Sequence, residues 1–408
     1  MKFYTRSHCG ICNSGNLRNF LNLGKTPLAD SFSQTRNSKE NYYPLTVKVC
    51  GKCKLVQLAN IVDDKILFGG DYAFFTGASP LSIKYFKDYA KETSDSFPKQ
   101  SQGLILEIAS NDGTLLQNFV NLGYKNVLGV DPAVPAATLA NKMGLKTIIK
   151  PFDMKLAKQI KKEYKNADLI IANNVIAHVD SLVEFVNAVK LLLDDEGIFI
   201  FECHYFPNLL FSDQFDNIYH EHRSYFSLLP LTWLFKNVGL YMFDIKSADT
   251  QGGSIRVFVS KRMRRQSNLL KKFIKEEGEM RLDKLDTYAG FQSRVNYIRQ
   301  RAKIKLTELK KKGYKIYGYG ASAKGNTMLN YLDLNSKIID KIVDKTPFKV
   351  GKFTPGTKIP VVMQSDKDVP DYYLLLVWNY LPSILEREKE FRKKGGKFIV
   401  PTLLPFII

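Results

Sequence analysis

The stretch Phe215-Asp-Asn-Ile-Tyr219-His220-Glu221-His222-Arg-Ser-Tyr225-Phe226 gathers two of the chain's five histidines, a carboxylate between them and two tyrosines. Imidazole titrates nearest neutral pH, and a phenol can donate a hydrogen bond to a developing oxyanion. Together these residue types suit proton transfer. Glu221, placed between the histidines, can orient or charge one of them. The plainer alternative is a surface turn whose polar groups pair locally.

A second cluster belongs to metal chemistry. Cys9-Gly-Ile-Cys12 and Cys50-Gly-Lys-Cys53 are two CxxC knuckles. Each knuckle aims two thiolates at one point, and two of them complete a tetrahedral Zn²⁺ site. Four cysteines close the coordination sphere, so the expected role is structural. The 37 residues between the pairs must loop out and return. Paired disulfides or a redox CxxC are less favoured where the only other cysteine is Cys203. His8 reads as a bystander.

These groups need a frame. Residues 61–100 read as helical, with a polar-aromatic turn at Tyr72–Ser79 that can line a pocket. Residues 103–200 alternate short apolar runs with helical ones. Gly103–Ile108 is a strand running into the small-residue turn Ala109-Ser110-Asn111-Asp112-Gly113, followed by a helix. Further strands end at Asp131, near Ile148, at Asn173-Asn174 and at Glu202. Such alternation builds a parallel sheet with ligands above the carboxyl ends of its strands. A dinucleotide there needs GxGxxG, which this turn lacks. S-adenosylmethionine has no pyrophosphate and needs a small-residue turn plus an acid after the second strand. Glu107, Ala109, Ser110, Asn111, Asp112 and Asp131 fit it, with Asn173 at the end of the fourth strand. His178 follows that fourth strand and should face the same mouth. The Tyr219–Tyr225 stretch follows the fifth strand and can fold over it. Residues 247–259 read as a turn into an edge strand.

Residues 261–315 hold 18 Lys/Arg against 6 Asp/Glu and supply much of the net charge of +20. A basic excess can serve nucleic acid, acidic membranes or phosphorylated small molecules. Here it lies along helical sequence, where a solvated face is the commoner explanation. No stretch reaches transmembrane length and no apolar core follows the first residues, so a cytoplasmic enzyme is expected. From Tyr314 a strand, the turn Gly320-Ala-Ser-Ala-Lys324-Gly325-Asn326 and a helix start a second αβ unit. A lysine at a helix N-terminus can hold a phosphate or carboxylate.

Taken together, these motifs resemble the sugar C-methyltransferases acting on nucleotide-linked keto-deoxysugars. The resemblance spans nearly the whole chain. It rests on both CxxC pairs, Glu107-Ile-Ala-Ser-Asn-Asp-Gly-Thr-Leu-Leu116, Asn174-Val-Ile-Ala-His178 and Ile218-Tyr-His-Glu-His-Arg-Ser-Tyr-Phe-Ser227. Gly252-Gly-Ser-Ile-Arg256, Tyr319-Gly-Ala-Ser-Ala-Lys-Gly-Asn326 and Lys352-Phe-Thr-Pro-Gly-Thr357 extend it. Three departures stand out. A family tyrosine near Phe74 is replaced, Gln251 stands where histidine is common, and His204 stands where proline is usual.

The resemblance implies an α/β protein: zinc-binding domain (1–70), class I S-adenosylmethionine methyltransferase domain (71–260), helical connector (261–312) and C-terminal Rossmann-like domain (313–408). It implies methyl transfer to the carbon alpha to the ketone of a dTDP-type 4-keto-deoxysugar, in deoxysugar or surface-polysaccharide synthesis. His222 is the expected general base, oriented by Glu221, and His220 can exchange roles with it. Tyr219 and His178 are expected to steady the enolate. Tyr72, His220, Lys324 and Asn326 are expected to touch the nucleotide-sugar. The competing readings are an O- or N-methyltransferase of the same fold and a zinc-dependent nucleic-acid-binding protein. Neither nucleic acid nor membrane is an expected partner, and a monomer is compatible with the sequence.

Overall fold

The computed structural model describes residues 2–67, 75–98, 103–401 and 406–408. The N-terminal strands are β1 (Phe3–Thr5), β2 (Leu17–Thr26), β3 (Tyr43–Cys50), β4 (Val56–Leu58) and β5 (Asn60–Val62). The β2–β3 hairpin carries the chain out from one cysteine pair and back to the other. Strands β1 and β5 form a separate antiparallel pair.

The central sheet contains β6 (Ile105–Ile108), β7 (Val127–Val130), β8 (Thr147–Ile148), β9 (Ala167–Asn173) and β10 (Leu193–His204). Two residues of the histidine-rich stretch, Ser224–Tyr225, form β11, and β12 (Tyr241–Ala248) and β13 (Ser254–Ser260) follow. The order across the central sheet is β12-β13-β10-β9-β6-β7-β8. Strands β6 to β10 are parallel and β13 is antiparallel. The strand expected at the edge, β13, therefore sits one place inward, with β12 outside it. Both faces are apolar with period two: Ile105, Leu169, Ile171, Ile198 and Ile200 on one, Leu106, Ile108, Ile170, Phe199 and Phe201 on the other. Helices cover both faces, which is why these strands read as continuous hydrophobic runs.

Strand β11 leaves the central sheet and joins β4, giving the N-terminal order β11-β4-β3-β2. The C-terminal strands are β14 (Ile316–Tyr319), β15 (Lys341–Val343), β16 (Val361–Val362), β17 (Tyr372–Leu375), β18 (Lys397–Val400) and β19 (Phe406–Ile407), ordered β16-β15-β14-β17-β18-β19. The basic connector is mostly two helices, Asn268–Glu279 and Phe291–Lys311. The second buries Phe291, Val295, Ile298, Ala302, Leu306 and Leu309 in a core shared with β2 and the C-terminal sheet. Its charges occupy the other face, as helical amphipathicity requires. Among the described residues no helix is long and apolar enough to cross a membrane.

Candidate active site

In the central sheet, β7 and β8 lie to one side of β6 while β9 and β10 lie to the other. The crevice where direction reverses is where such sheets take ligands. The turn after β6 is strained there: Ala109 and Asn111 have φ of 59° and 50°, and Gly113 has 77°. Asp131 closes it, accepting from the Asn111 amide at 2.8 Å and the Ala133 amide at 2.7 Å. From across the crevice, the Thr76 and Gly77 amides donate to Asn111 Oδ1 (2.9 Å) and Asp112 Oδ2 (2.8 Å). Tyr72 and Phe74 lie outside the described residues.

Glu107 Oε2, Ser110 Oγ and both side-chain polar atoms of Asn173 are buried without a hydrogen-bond partner among the described residues. Burial, then the charges of Asp131 and Asp112, pushes the Glu107 carboxyl well above its ordinary range. Orphaned buried groups are costly and call for a ligand. Acceptors and hydroxyls above β6, β7 and β9 suit the amino-acid and ribose portions of S-adenosylmethionine.

The histidines gather beside this edge, above β9 and β10. His178 ends a short turn after β9, and His204 ends β10. His222 lies between them, with ring centroids 5.1 Å from His178 and 5.4 Å from His204. Arg223 fastens the stretch on both sides: its amide donates to Ala177 O at 2.7 Å, and its carbonyl accepts from the Leu58 amide at 2.9 Å. The zinc-bearing sheet thus holds the backbone of the histidine stretch.

His222 Nδ1 lies 2.8 Å from the Asn217 carbonyl, and Nε2 lies 2.9 Å from the Tyr219 hydroxyl. A carbonyl only accepts, so Nδ1 carries the proton and Nε2 of the neutral ring is basic. Burial, then the neighbouring His178 and His204, holds the His222 pKa well below the ordinary histidine value. Burial likewise lowers His178 to about 4 and His204 to about 3, with Arg223 and Lys324 adding to each in turn.

The expected orientation of His222 by Glu221 is corrected by this geometry. The Asn217 carbonyl holds the ring, and the charged neighbours of the Glu221 carboxyl are Asp30 and Lys349. Burial raises that carboxyl to about 8. Glu221 contributes its backbone to His178 instead. His220 turns the other way and meets Tyr43 edge-on at 5.9 Å, so it does not join the cluster of His178, His204 and His222.

The C-terminal unit supplies two further groups. Lys324 Nζ donates to the Gln251 carbonyl at 2.6 Å, and burial lowers its pKa to about 8. Trp378 Nε1 donates to Asp216 Oδ2 at 2.6 Å. Asn326, expected to touch the nucleotide-sugar, is instead buried and donates to Ala29 O at 2.7 Å, joining the N- and C-terminal units. Asn217, Asp216 and Trp378 were not anticipated as site residues. His204 and Gln251 carried a signal, as departures from the family pattern.

The four zinc cysteines converge. Their sulfurs lie within 4.8 Å of one another, with Cys9–Cys53 at 3.4 Å and Cys12–Cys50 at 3.5 Å. Disulfides need ~2.05 Å, whereas tetrahedral ligands at ~2.3 Å from zinc stand roughly 3.8 Å apart. The donor set fits structural Zn²⁺. His8 is exposed and meets Ser7.

Family comparisons agree with this division of labour. Residues 9–68 match a zinc binding domain, 83–244 a methyltransferase domain, and 249–403 a C-methyltransferase C-terminal domain. Two of the solved structures resembling the chain are the magnesium protoporphyrin IX methyltransferase of Synechocystis PCC 6803 and an S-adenosylmethionine-dependent methyltransferase of Clostridium acetobutylicum ATCC 824. The first is 10% identical over 44% of this chain and 79% of its own, TM-score 0.34; the second is 17% identical over 48% and 95%, TM-score 0.36. The matched domains and the crevice define an S-adenosylmethionine-dependent methyltransferase. The C-methyltransferase NovU of Streptomyces niveus is 34% identical over 98% of this chain and 96% of its own length. The chain belongs to that C-methyltransferase family.

Proposed function

We propose that the enzyme methylates the carbon alpha to the ketone of a nucleotide-linked, dTDP-type 4-keto-deoxysugar, with His222 as general base, in deoxysugar or surface-polysaccharide synthesis. The observation that carries this reading is the fixed tautomer of His222, whose basic Nε2 stands beside a phenol at the crevice. Carbon is a poor nucleophile until deprotonated. His222 Nε2 takes the alpha proton, and the C–H electron pair moves onto the ketone oxygen as an enolate. The arriving proton ends the bond in which Nε2 accepted from Tyr219. The phenol is then released to donate to the enolate oxygen, with His178 beside it. When bound, S-adenosylmethionine supplies a sulfonium-activated methyl group for that carbon. Glu107, Ser110, Asn111, Asp112, Asp131 and Asn173 hold the cofactor. Lys324 anchors the acceptor through a phosphate or sugar oxygen, and Asn326 positions the helix that presents it.

The divisions at 1–70, 71–260, 261–312 and 313–408 belong to the same proposal, supported by the separate sheets. The five cysteines form no disulfide, as suits a cytoplasmic location.

The test is hydrogen–deuterium exchange at the alpha carbon of nucleotide-linked 4-ketosugars, without cofactor. Wild type should exchange and His222→Ala should not. Methylation of oxygen or nitrogen without carbon exchange would replace this reading.

A further inference from the structure

Gln251, Gly252 and Gly253 are three consecutive left-handed residues, with φ of 58°, 93° and 110°. Such a run persists only where its surroundings hold it. Each carbonyl is held. Gln214 Nε2 donates to Gly252 O at 3.0 Å, and the Tyr205 amide donates to Gly253 O at 3.2 Å. The Gln251 carbonyl takes two donors from different units: His204 Nε2 at 2.7 Å and Lys324 Nζ at 2.6 Å. No other hydrogen-bond acceptor is seen for the Lys324 ammonium among the described residues. An ammonium has three donors, so two remain to be directed. Asp216 is its charged neighbour.

We propose that His204 is a positioning residue for methyl transfer. Its Nε2–H fixes the Gln251 carbonyl, and that carbonyl fixes the Lys324 ammonium so that its unspent donors face the acceptor. His204 therefore acts on acceptor binding through two other residues, and its ring takes no proton in the reaction. This rests on the reading of Lys324 as the acceptor's anchor.

The experiment uses the full-length, zinc-loaded enzyme and sulfosuccinimidyl acetate, an amine-acylating probe, with Lys324 acetylation followed by peptide mass spectrometry. His204→Phe keeps the ring volume and removes the donor; His204→Gln restores an N–H. Loss of one hydrogen bond corresponds to a change of roughly tenfold. Lys324 should be acetylated about that much faster in His204→Phe, and at nearly the wild-type rate in His204→Gln. Equal rates in all three, or a His204→Gln rate matching His204→Phe, would overturn the proposal.

If His204→Phe does not fold, Gly252→Ala disturbs the same carbonyl from its other side. An added Cβ would lie 3.1 Å from Gln214 Oε1 and 3.2 Å from Trp378, at φ of 93°. It too should speed acetylation, and a wild-type rate would count against the proposal. Labelling needs no acceptor. Failure to turn over nucleotide-linked ketosugars therefore removes the substrate reading while the His204 contrast is still read. With a working acceptor, His204→Phe should raise acceptor KM and leave cofactor affinity unchanged. A fall in kcat alone would contradict the positioning role.

Discussion

The central and C-terminal sheets build the same turn and use it oppositely. In each, the first strand sits at the point where strand order reverses, and an aspartate after the second strand ties down the turn. Asp131 accepts from the Asn111 and Ala133 amides; Asp344 accepts from the Ala321 and Thr346 amides at 2.6 and 2.7 Å. One residue before the end of the first strand the two part. The central sheet has Glu107 there, with one oxygen unpaired among the described residues. The C-terminal sheet has Gly318, where a Cβ would meet Ile342 at 2.8 Å and Leu376 at 2.9 Å. The serines differ in the same sense. Ser110 Oγ has no partner among the described residues, whereas Ser322 Oγ accepts from the Gly325 amide and donates to Leu376 O, both at 3.0 Å. One turn leaves polar groups unspent, as the proposed cofactor seat requires. The other spends them internally and extends Lys324 into its neighbour's site.

That contrast is tested first at His222, the proposed base. His222→Ala should lower turnover by ~10²–10⁴-fold with cofactor affinity nearly intact. Calorimetry with S-adenosylhomocysteine beside single-turnover rates checks both. A parallel loss of cofactor affinity would move His222 into the cofactor seat. Next, Asp131→Asn should weaken S-adenosylhomocysteine by roughly 10–100-fold, as expected for losing charged hydrogen bonds. Asp344→Asn should leave that affinity unchanged, and equal losses would erase the distinction between the turns.

Lys324→Met should raise acceptor KM by about tenfold, the low end for a charged hydrogen bond. It should also alter the pH profile. Burial lowers the Lys324 pKa to about 8, so its charge is lost as pH rises through that value and acceptor binding falls on the alkaline side. The variant should lack that contribution. On the acid side, His222 keeps its basic form to below the ordinary histidine range, so the acid limb of kcat should lie below about pH 6.5. The smallest effect belongs to Glu221→Gln. Burial raises this carboxyl to about 8, so it is mostly protonated at neutral pH and resembles an amide. Turnover at pH 7 should change by less than about threefold, since a neutral acid and an amide differ little in charge. A loss comparable to that of His222→Ala would restore the orienting role to Glu221.

Much of the site was legible because it depends on local spacing. CxxC pairs aim thiolates through a turn of four residues, and the Glu107–Gly113 turn follows directly from its strand. The apolar runs at 105–108, 167–173 and 197–202 announced a parallel sheet. Which edge β13 would occupy was not legible, because pairing partners are chosen by the whole sheet. Glu221 misled for a related reason: adjacent residues of a turn face different ways, so proximity in the chain did not bring its carboxyl to His222.

The sequence by itself determined the inventory: four metal thiolates, a strand-and-turn cofactor frame, and a basic residue with a phenol three positions away. Tertiary structure decided the pairings. Asn217 fixes the tautomer of His222 by turning its carbonyl into the ring, and Arg223 is held at once by Ala177 and Leu58. Trp378 reaches Asp216 from 162 residues away, and Lys324 reaches Gln251 from 73. Hydrogen bonds act over about 3 Å. Contacts between residues this distant in the chain exist only after the sheets have packed.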